Sequence, residues 1–574
     1  MTAYPVKRDD ISIVLCGAAG QGIQTVEQLL THLLKLSGYN LFSTKEYMSR
    51  VRGGSNSTEL RVSSHKINAL VDKIDLLFPL SREALKHVEK RISAETIIIG
   101  EKEKLVTDKE DNTYDIINIS LSNIAKEIGG TIYSNIIIVG VIAALFNIDR
   151  KVIEEYISKR FAKKGEKVVD KNIEAVTRGF EIGSELVSTE KVTINIGKDS
   201  TVDDEIIING GDAVSMGAIA GGCNFVSSYP MTPSTPVLTF LAQQSKEFNI
   251  VVEQAEDEIA AINMALGAWY AGARGMVTTS GGGFALMAEG LSLAGIIESP
   301  IVIHLAQRPG PATGLPTRTE QGDLLFALFA GHGEFPRIIF APGTLEDAFY
   351  LTQKAFNLAD KFQIPVFIMT DQYFIDSYYN IPKLDISKIN IEQYIIKTDS
   401  DYKRYSLTDD GISPRGIPGK GDGLIVVDSD EHDYEGHITE DHDVRIKMVD
   451  KRLKKNDAII KEAIPPKLVG NEKCKNLVVC WGSTYNIVSE SIKRLKRDDV
   501  SMLHFKQVYP LHPDTHRFFE KAENWIIIEN NATSQFGSIL KLYTGIDIQT
   551  KILKYDGLAF SVEELTEKLE NLIK

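Results

Sequence analysis

The sequence predicts an α/β protein of three α/β domains, the central one a doubly wound, mostly parallel sheet. Three observations predict it. The chain has 574 residues, too many for one ordinary domain of about 150. Short apolar runs alternate with amphipathic stretches, the rhythm of strands and crossover helices. In the middle of the chain each apolar run is followed by a polar loop, the position where such sheets bind ligands.

The first block covers 1–190. A strand is expected at 11–16, then the turn Gly17-Ala-Ala-Gly-Gln-Gly22, then an amphipathic helix through Leu36. Apolar runs follow at 96–99, 114–119 and 136–145. Glycines between a strand and a helix let backbone N–H groups approach a phosphate. The order G-x-x-G-x-G is not the dinucleotide fingerprint, and tight packing of the turn accounts for it equally well. Downstream, Arg50 and Arg52 stand beside Gly53 and Gly54, as an anion site or as a surface turn with interface charges. Residues 191–205 are polar, lack long periodicity and read as a linker.

The second block covers 206–385. Helix 212–221 leads to strand 224–228, and the loop Tyr229-Pro-Met-Thr-Pro-Ser-Thr235 opens a helix through Gln244. Strand 250–253 leads to helix 256–273. Strand 276–280 leads to Gly281-Gly-Gly283 and another helix, and strand 301–306 leads into a long loop at 307–323. Thr235 is expected as the helix N-cap with Pro236 as the first helical residue. Thr232 lies too early to cap, so it is assigned to a ligand.

Two further loops of this block carry chemistry. Glu253-Gln-Ala-Glu-Asp-Glu258 places acids at a helix start, where they complement the dipole and face solvent in many proteins. Glu258 differs, because a nearly apolar helix follows it. A carboxyl buried there has a raised pKa and exchanges a proton near neutral pH. Arg308-Pro-Gly-Pro-Ala-Thr-Gly-Leu-Pro-Thr317-Arg318 joins guanidinium and hydroxyl groups on a loop stiffened by proline. That set suits a carboxylate clamp, with a subunit contact as the alternative.

Residues 386–470 are charged and expected to form an irregular connection with little core. Within them His432, His437 and His442 recur among acids at a spacing that matches no standard metal site, so a solvated or interface loop is expected and no metal site is assigned. The third block, 471–574, shows strands at 476–480, 500–505 and 525–529 and reads as a smaller α/β unit.

The net charge of −14 disfavours nucleic acid as the main partner. The four cysteines form no C-x-x-C and no cluster spacing, and so low a number suggests a reducing cytoplasm. The first residues show no apolar signal region, and no run reaches the roughly 18 apolar residues of a membrane helix.

Taken together, these motifs resemble the 2-oxoacid:ferredoxin (2-oxoacid:acceptor) oxidoreductases, in the form of an α subunit with a γ-type domain fused ahead of it. Gly17 through Ile23 and Ser49 through Ser55 look like the γ domain. Tyr229 through Thr235 is similar to the family's YPITPS/T loop, with Met231 for the usual Ile, and 308–317 resembles its R-x-G-P-x-T-G-L-P-T loop. Val508-Tyr-Pro-Leu-His-Pro513 and Glu529-Asn-Asn-Ala-Thr-Ser-Gln-Phe-Gly537 look like its transketolase C-terminal-like domain.

The resemblance implies that 206–385 is a pyrimidine-binding domain for thiamine diphosphate. It implies that Glu258 hydrogen-bonds N1′ of the aminopyrimidine and so promotes loss of the thiazolium C2 proton. Tyr229, Pro230 and Thr232 would border the cofactor, Thr232 also the substrate. Arg308 and Thr317 would bind the carboxylate of a 2-oxoacid such as pyruvate or 2-oxoglutarate. Gly421-Asp-Gly423 resembles the start of the GDG…N motif for Mg²⁺ and diphosphate, but no suitable Asn follows and it is set aside. The diphosphate site with its Mg²⁺ and a [4Fe–4S] cluster are therefore expected on a separate β subunit, in an αβ or (αβ)2 assembly serving ferredoxin and coenzyme A. A component of another thiamine-dependent 2-oxoacid dehydrogenase, and a non-catalytic subunit that kept the fold, are the alternatives.

Overall fold

A computed structural model describes residues 4–6, 9–18, 23–48, 55–106 and 114–573. The chain divides into two compact units. One comprises Met1–Ile208 with Asp376–Lys383 and Ser561–Glu564; the other comprises Asn209–Ile375, Leu384–Phe560 and Leu565–Lys574.

In the first unit, strand Asp10–Ala18 is buried along nearly its whole length, as expected of a continuous apolar run covered on both faces. It lies fourth in an eight-stranded mixed sheet, parallel to Leu76–Pro79 and antiparallel to Ser55–Ser63. Helix Ile23–Leu36 packs Val26, Leu29, Leu30 and Leu33 into the core, one apolar stripe at helical spacing. The run 136–145 belongs to a second kind of helix. Ser134–Leu145 is apolar all round and buried from Ile136 onward. Gly140 lets it press against helix Glu166–Ser188, since a Cβ there would lie 2.1 Å from the Val176 carbonyl oxygen. Of the glycine turn, Gly17 and Ala18 end the strand; positions 19–22, and Arg50 and Arg52, lie outside the described residues.

Two departures from the expected elements occur in this unit. The stretch 191–205 carries strand Val192–Ile194, paired with Tyr4–Val6, and a short 3-10 helix, Ser200–Asp204. The sheet is also extended by a segment distant in sequence. Tyr378–Pro382 runs antiparallel to Asn40–Glu46, and Asn380 fastens it by accepting from the Leu41 N–H at 2.9 Å.

The second unit holds a seven-stranded sheet in the order Val251–Gln254, Phe225–Ser228, Gly275–Thr279, Ile301–Gln307, Pro365–Asp371, Ile338–Phe340, Gln507–Tyr509. The first six strands are parallel, so their carboxyl ends share one edge. The seventh is antiparallel and comes from beyond residue 471, so the third block lends a strand to the central sheet. A five-stranded sheet in the same unit contains Asn476–Trp481, Val500–Phe505 and Asn524–Glu529.

The stretch expected to be an irregular connection carries a 20-residue helix, His442–Lys461, and its own buried charge cluster. Glu298 receives Lys451 Nζ at 2.6 Å and Lys455 Nζ at 2.6 Å. Of the three histidines expected on a solvated or interface loop, His437 and His442 are exposed, whereas His432 is not. It is fully buried, stacked on Tyr405 with ring centroids 3.8 Å apart. No group of three or more potential metal ligands gathers among the described residues. The Gly421-Asp-Gly423 turn is pinned to the backbone of Thr398: the Asp422 N–H donates to its carbonyl at 2.8 Å, and a Cβ on Gly421 would lie 2.2 Å from that same oxygen.

Candidate active site

Each loop singled out in the second block starts where a parallel strand ends. Phe225–Ser228 delivers Tyr229 and Thr232, Val251–Gln254 delivers Glu258, Gly275–Thr279 delivers Gly281, and Ile301–Gln307 delivers Arg308. Because the strands are in parallel register, the four loops meet at one edge, where a doubly wound sheet binds ligands.

Glu258 is the first residue of helix Glu258–Tyr270, not an interior one as the expected start at 256 implied. Asp257 caps that helix through the Ala260 N–H at 2.7 Å. The capping is done by its neighbour, so the Glu258 carboxyl is left for other work. Glu258 is only 3% exposed, and its Oε1 has no hydrogen-bond partner among the described residues. Burial, with Asp257 adding repulsion, raises its pKa above the ordinary carboxylate value.

Gly281-Gly-Gly283 forms the first turn of helix Gly281–Leu286. These glycines make room for two carboxyl groups. A Cβ on Gly283 would fall 2.4 Å from Glu258 Oε1, and one on Gly281 would fall 2.4 Å from Asp323 Oδ2. Either contact is far inside van der Waals distance.

Arg308 and Thr232 are brought together. The guanidinium donates from Nη1 to the Thr232 carbonyl at 2.6 Å, while its buried Nε has no partner among the described residues. Burial lowers the Arg308 pKa, and the Asp323 charge opposes that shift. Tyr229 and Pro230 stand at the mouth of the same loop, with Tyr229 41% exposed. The helix that follows is Thr235–Phe248, with Ser234 at the N-cap position and Pro236 second, so the expected cap at Thr235 is one residue late. Ser234 Oγ turns back to the Met231 carbonyl at 2.7 Å and shapes the loop instead of capping. Thr317 lies partly buried in a turn of the Arg308 loop, with no hydrogen bond to Thr232, Glu258 or Arg308 among the described residues.

The loop itself is rigid. Gly314 has φ +53°, and a Cβ there would lie 1.8 Å from the Pro309 oxygen. Gln307 closes the loop, accepting the Asp323 N–H at 3.0 Å and donating to the Thr370 carbonyl at 3.2 Å. From the C-terminal sheet, Asn530 and Trp481 hold the Gln321 side chain, and Gln535 spans the Gly322 carbonyl and the Leu325 N–H. Buried Glu529 organises those donors by accepting from Trp481, Asn531, Ser534, Phe536 and Gly537. The C-terminal motif Glu529–Gly537 thus seats the site loop, a role that its sequence alone did not disclose.

Sequence reasoning also missed Asp323 and Ser280. Asp323 precedes helix Leu324–Phe329, where an aspartate ordinarily caps, yet it makes no side-chain cap bond. Its Oδ2 is buried without a partner among the described residues, as is Ser280 Oγ. Burial, with Glu320 adding to it and Arg308 opposing, pushes the Asp323 carboxyl up to about 7. Glu258, Ser280, Arg308 and Asp323 therefore leave unsatisfied polar atoms on loops at one sheet edge. Buried polar groups in native proteins are nearly always paired, so such a set marks a ligand site.

The first unit has a cavity of about 630 Å³, lined by Leu80, Glu101, Lys104, Ser122 and Phe161 among others. Its Lys104 is already paired with Glu101 at 2.9 Å, so the cavity lacks the unpaired set seen at the sheet edge.

Comparison with known proteins identifies the family. Residues 216–451 match the family model described as "Pyruvate flavodoxin/ferredoxin oxidoreductase, thiamine diP-bdg", and residues 12–182 match "Pyruvate ferredoxin/flavodoxin oxidoreductase". A 2-oxoacid:ferredoxin oxidoreductase subunit alpha of Sulfolobus sp is 33% identical over 98% of this chain and 97% of its own. The 2-oxoglutarate synthase subunit KorA of Archaeoglobus fulgidus is 32% identical over 63% of this chain and 98% of its own. A solved 2-oxoglutarate:ferredoxin oxidoreductase from Magnetococcus marinus, with 2-oxoglutarate, coenzyme A and succinyl-CoA bound, superposes with a TM-score of 0.91 at 30% identity, covering 99% of this chain and 100% of that one. Near-complete coverage of this kind decides against a lipoamide-type dehydrogenase component: the chain belongs to the 2-oxoacid:ferredoxin oxidoreductases, as an α subunit with a thiamine-diphosphate-binding domain.

Proposed function

We propose that this subunit supplies the aminopyrimidine side of the catalytic site, with Glu258 as its proton-holding group and Arg308 and Thr317 as the anchor for the 2-oxoacid carboxylate. The observation that carries the reading is the buried, unpartnered Oε1 of Glu258 beside Gly283. A buried carboxyl with an open oxygen suits a hydrogen bond to a ring nitrogen. Thiamine diphosphate, when bound, provides the electron sink that lets the bond to the departing CO2 break. The chain's own residues do the rest. Glu258, its proton affinity raised by burial, holds a hydrogen bond to N1′ and keeps the proton at that atom. Gly281 and Gly283 keep side chains out of the ring's way. Thr232, fixed through its carbonyl by Arg308, borders the reacting carbon, and Tyr229 and Pro230 close the cofactor's outer edge.

The same reading assigns 206–385 to the pyrimidine domain and 471–574 to the transketolase C-terminal-like domain. The Gly421-Asp-Gly423 turn is committed to Thr398, which supports placing Mg²⁺ and the diphosphate on a β subunit. The [4Fe–4S] cluster and transfer to ferredoxin go with that partner, and coenzyme A accepts the acyl group. The described cysteines are buried free thiols, which fits a reducing cytoplasm. Among the described residues no single helix is long and apolar enough to cross a membrane.

The test is reconstitution. Purified alone, the chain is expected to carry no stoichiometric iron and to leave methyl viologen unreduced by 2-oxoacids. Copurified with a partner bearing GDG…N and cluster cysteines, it is expected to support reduction. Iron bound to the chain alone would contradict the assignment.

A further inference from the structure

We propose that Asp323 is a second proton-holding carboxyl of this site, neutral while a 2-oxoacid carboxylate occupies Arg308 and ionised once that anion has left. The proposal rests on the reading of Arg308 as the carboxylate anchor.

Three features of geometry support it. Asp323 stands at a helix start but does not cap, so its carboxyl is not spent on the backbone. Its Oδ2 is buried, lacks a partner among the described residues and faces Gly281, in the glycine turn whose Gly283 faces Glu258. It is also fixed, since Gln307 accepts from its backbone N–H and Gln535 holds the Gly322 carbonyl and the Leu325 N–H on either side. A merely structural aspartate would have its oxygens paired.

Arg308 lies within electrostatic reach of Asp323, yet no ion pair joins them among the described residues. Arg308 thus faces a choice of two anions, Asp323 and the incoming carboxylate. With the site empty, Arg308 favours ionised Asp323 and Glu320 disfavours it. When a substrate carboxylate arrives, Arg308 is neutralised and a second negative charge stands nearby, so Asp323 takes up a proton from solvent. When the carboxylate is lost as CO2, Arg308 is again without an anion, and Asp323 returns that proton to solvent. The proton is borrowed and returned, so the overall balance of the reaction is unchanged.

Two carboxyls near Asp323 are also raised by burial, Glu320 and Glu258, and the variants below separate them from Asp323; the remaining neighbours do not titrate near neutral pH. Helix Gly281–Leu286 and the helix Leu324–Phe329 contain no ionisable side chain. His304, on the strand leading to Gln307, is buried between Thr278 and Thr370, and its pKa is lowered by burial to about 3, so it stays neutral. Helix Gln535–Thr544 presents the uncharged Gln535. Glu258 lies on the far side of the glycine turn.

The experiment measures the KM for the 2-oxoacid against pH in the assembled enzyme. Tight binding needs Asp323 protonated, so wild-type KM should rise about fivefold between pH 7 and 8. In Asp323→Asn the side chain is permanently neutral, and KM should stay flat at its low-pH value. A wild-type slope retained in Asp323→Asn overturns the proposal. Should that variant fail to fold, a wild-type KM independent of pH between 6.5 and 8.5 overturns the proposal, and so does a rise that vanishes in Glu320→Gln; a rise retained in Glu320→Gln supports it. Arg308→Ala separates the two ideas. An unchanged KM in that variant removes the carboxylate anchor and this proposal with it. A raised KM there, with the wild-type slope intact in Asp323→Asn, removes only this proposal.

Discussion

Two buried sets of charged residues in the second unit have opposite characters. Around Glu298 the carboxylate is answered directly: Lys451 and Lys455 both contact it at 2.6 Å. At the sheet edge Glu258, Ser280, Arg308 and Asp323 each keep a polar atom with no partner among the described residues. Both sets shift proton affinities, so a shifted pKa by itself does not separate structure from function. Convergence of several unpaired atoms on one sheet edge does. A satisfied buried cluster fixes one conformation, whereas an unsatisfied one costs stability and persists because a ligand completes it.

The contrast predicts different losses. Glu298→Gln leaves two lysines buried without their anion and should cost about 3–5 kcal/mol of stability, read by denaturant unfolding. Activity per folded molecule should be little changed, because the cluster does not touch the site. The pH dependence follows from the same group. Burial raises the Glu298 pKa, but Lys455, Lys451 and Arg404 outweigh it and hold the carboxyl well below the usual range. Its folded value is depressed, so its stabilisation is present above the ordinary value of 4.5 and is lost as pH falls through the folded one. The variant should therefore lose less stability on acidification than the wild type.

Gly283→Ala probes the other set. Its added methyl meets Thr279 Oγ1 at 2.2 Å and Glu258 Oε1 at 2.4 Å, so kcat should fall about 100-fold, with a smaller fall in melting temperature from the displaced Thr279. A variant with large stability loss and normal turnover would show that this glycine serves packing alone, and the comparison would fail on that side.

The loops were legible in the sequence because each is local. A strand, a turn rich in Gly, Pro or Thr, and a helix start can be read within about fifteen residues. Thr232, Glu258 and Arg308 were located in this way, and the parallel sheet then brought their loops to one edge. What could not be read was tertiary. Strands Tyr378–Pro382 and Gln507–Tyr509 are short and pair with partners far along the chain. Helix His442–Lys461 buries Met448, Lys451, Arg452, Lys455 and Ile459 at helical spacing, but three of those five are cationic. A search for apolar periodicity passes over such a face, because Glu298, which makes it buriable, is remote in sequence. Asp323 was missed for a related reason. An aspartate before an apolar helix looks like a cap, and only the approach of Gly281 shows that it is not one.

The central claim is that the carboxyl of Glu258, whose Oε1 has no partner among the described residues, does the proton work of the pyrimidine side. Methyl viologen reduction by the copurified complex, wild type against Glu258→Ala, tests it most directly. The account predicts a loss of about 10²–10⁴-fold in kcat, with the complex intact and its iron content unchanged. Unchanged turnover in the variant would contradict it.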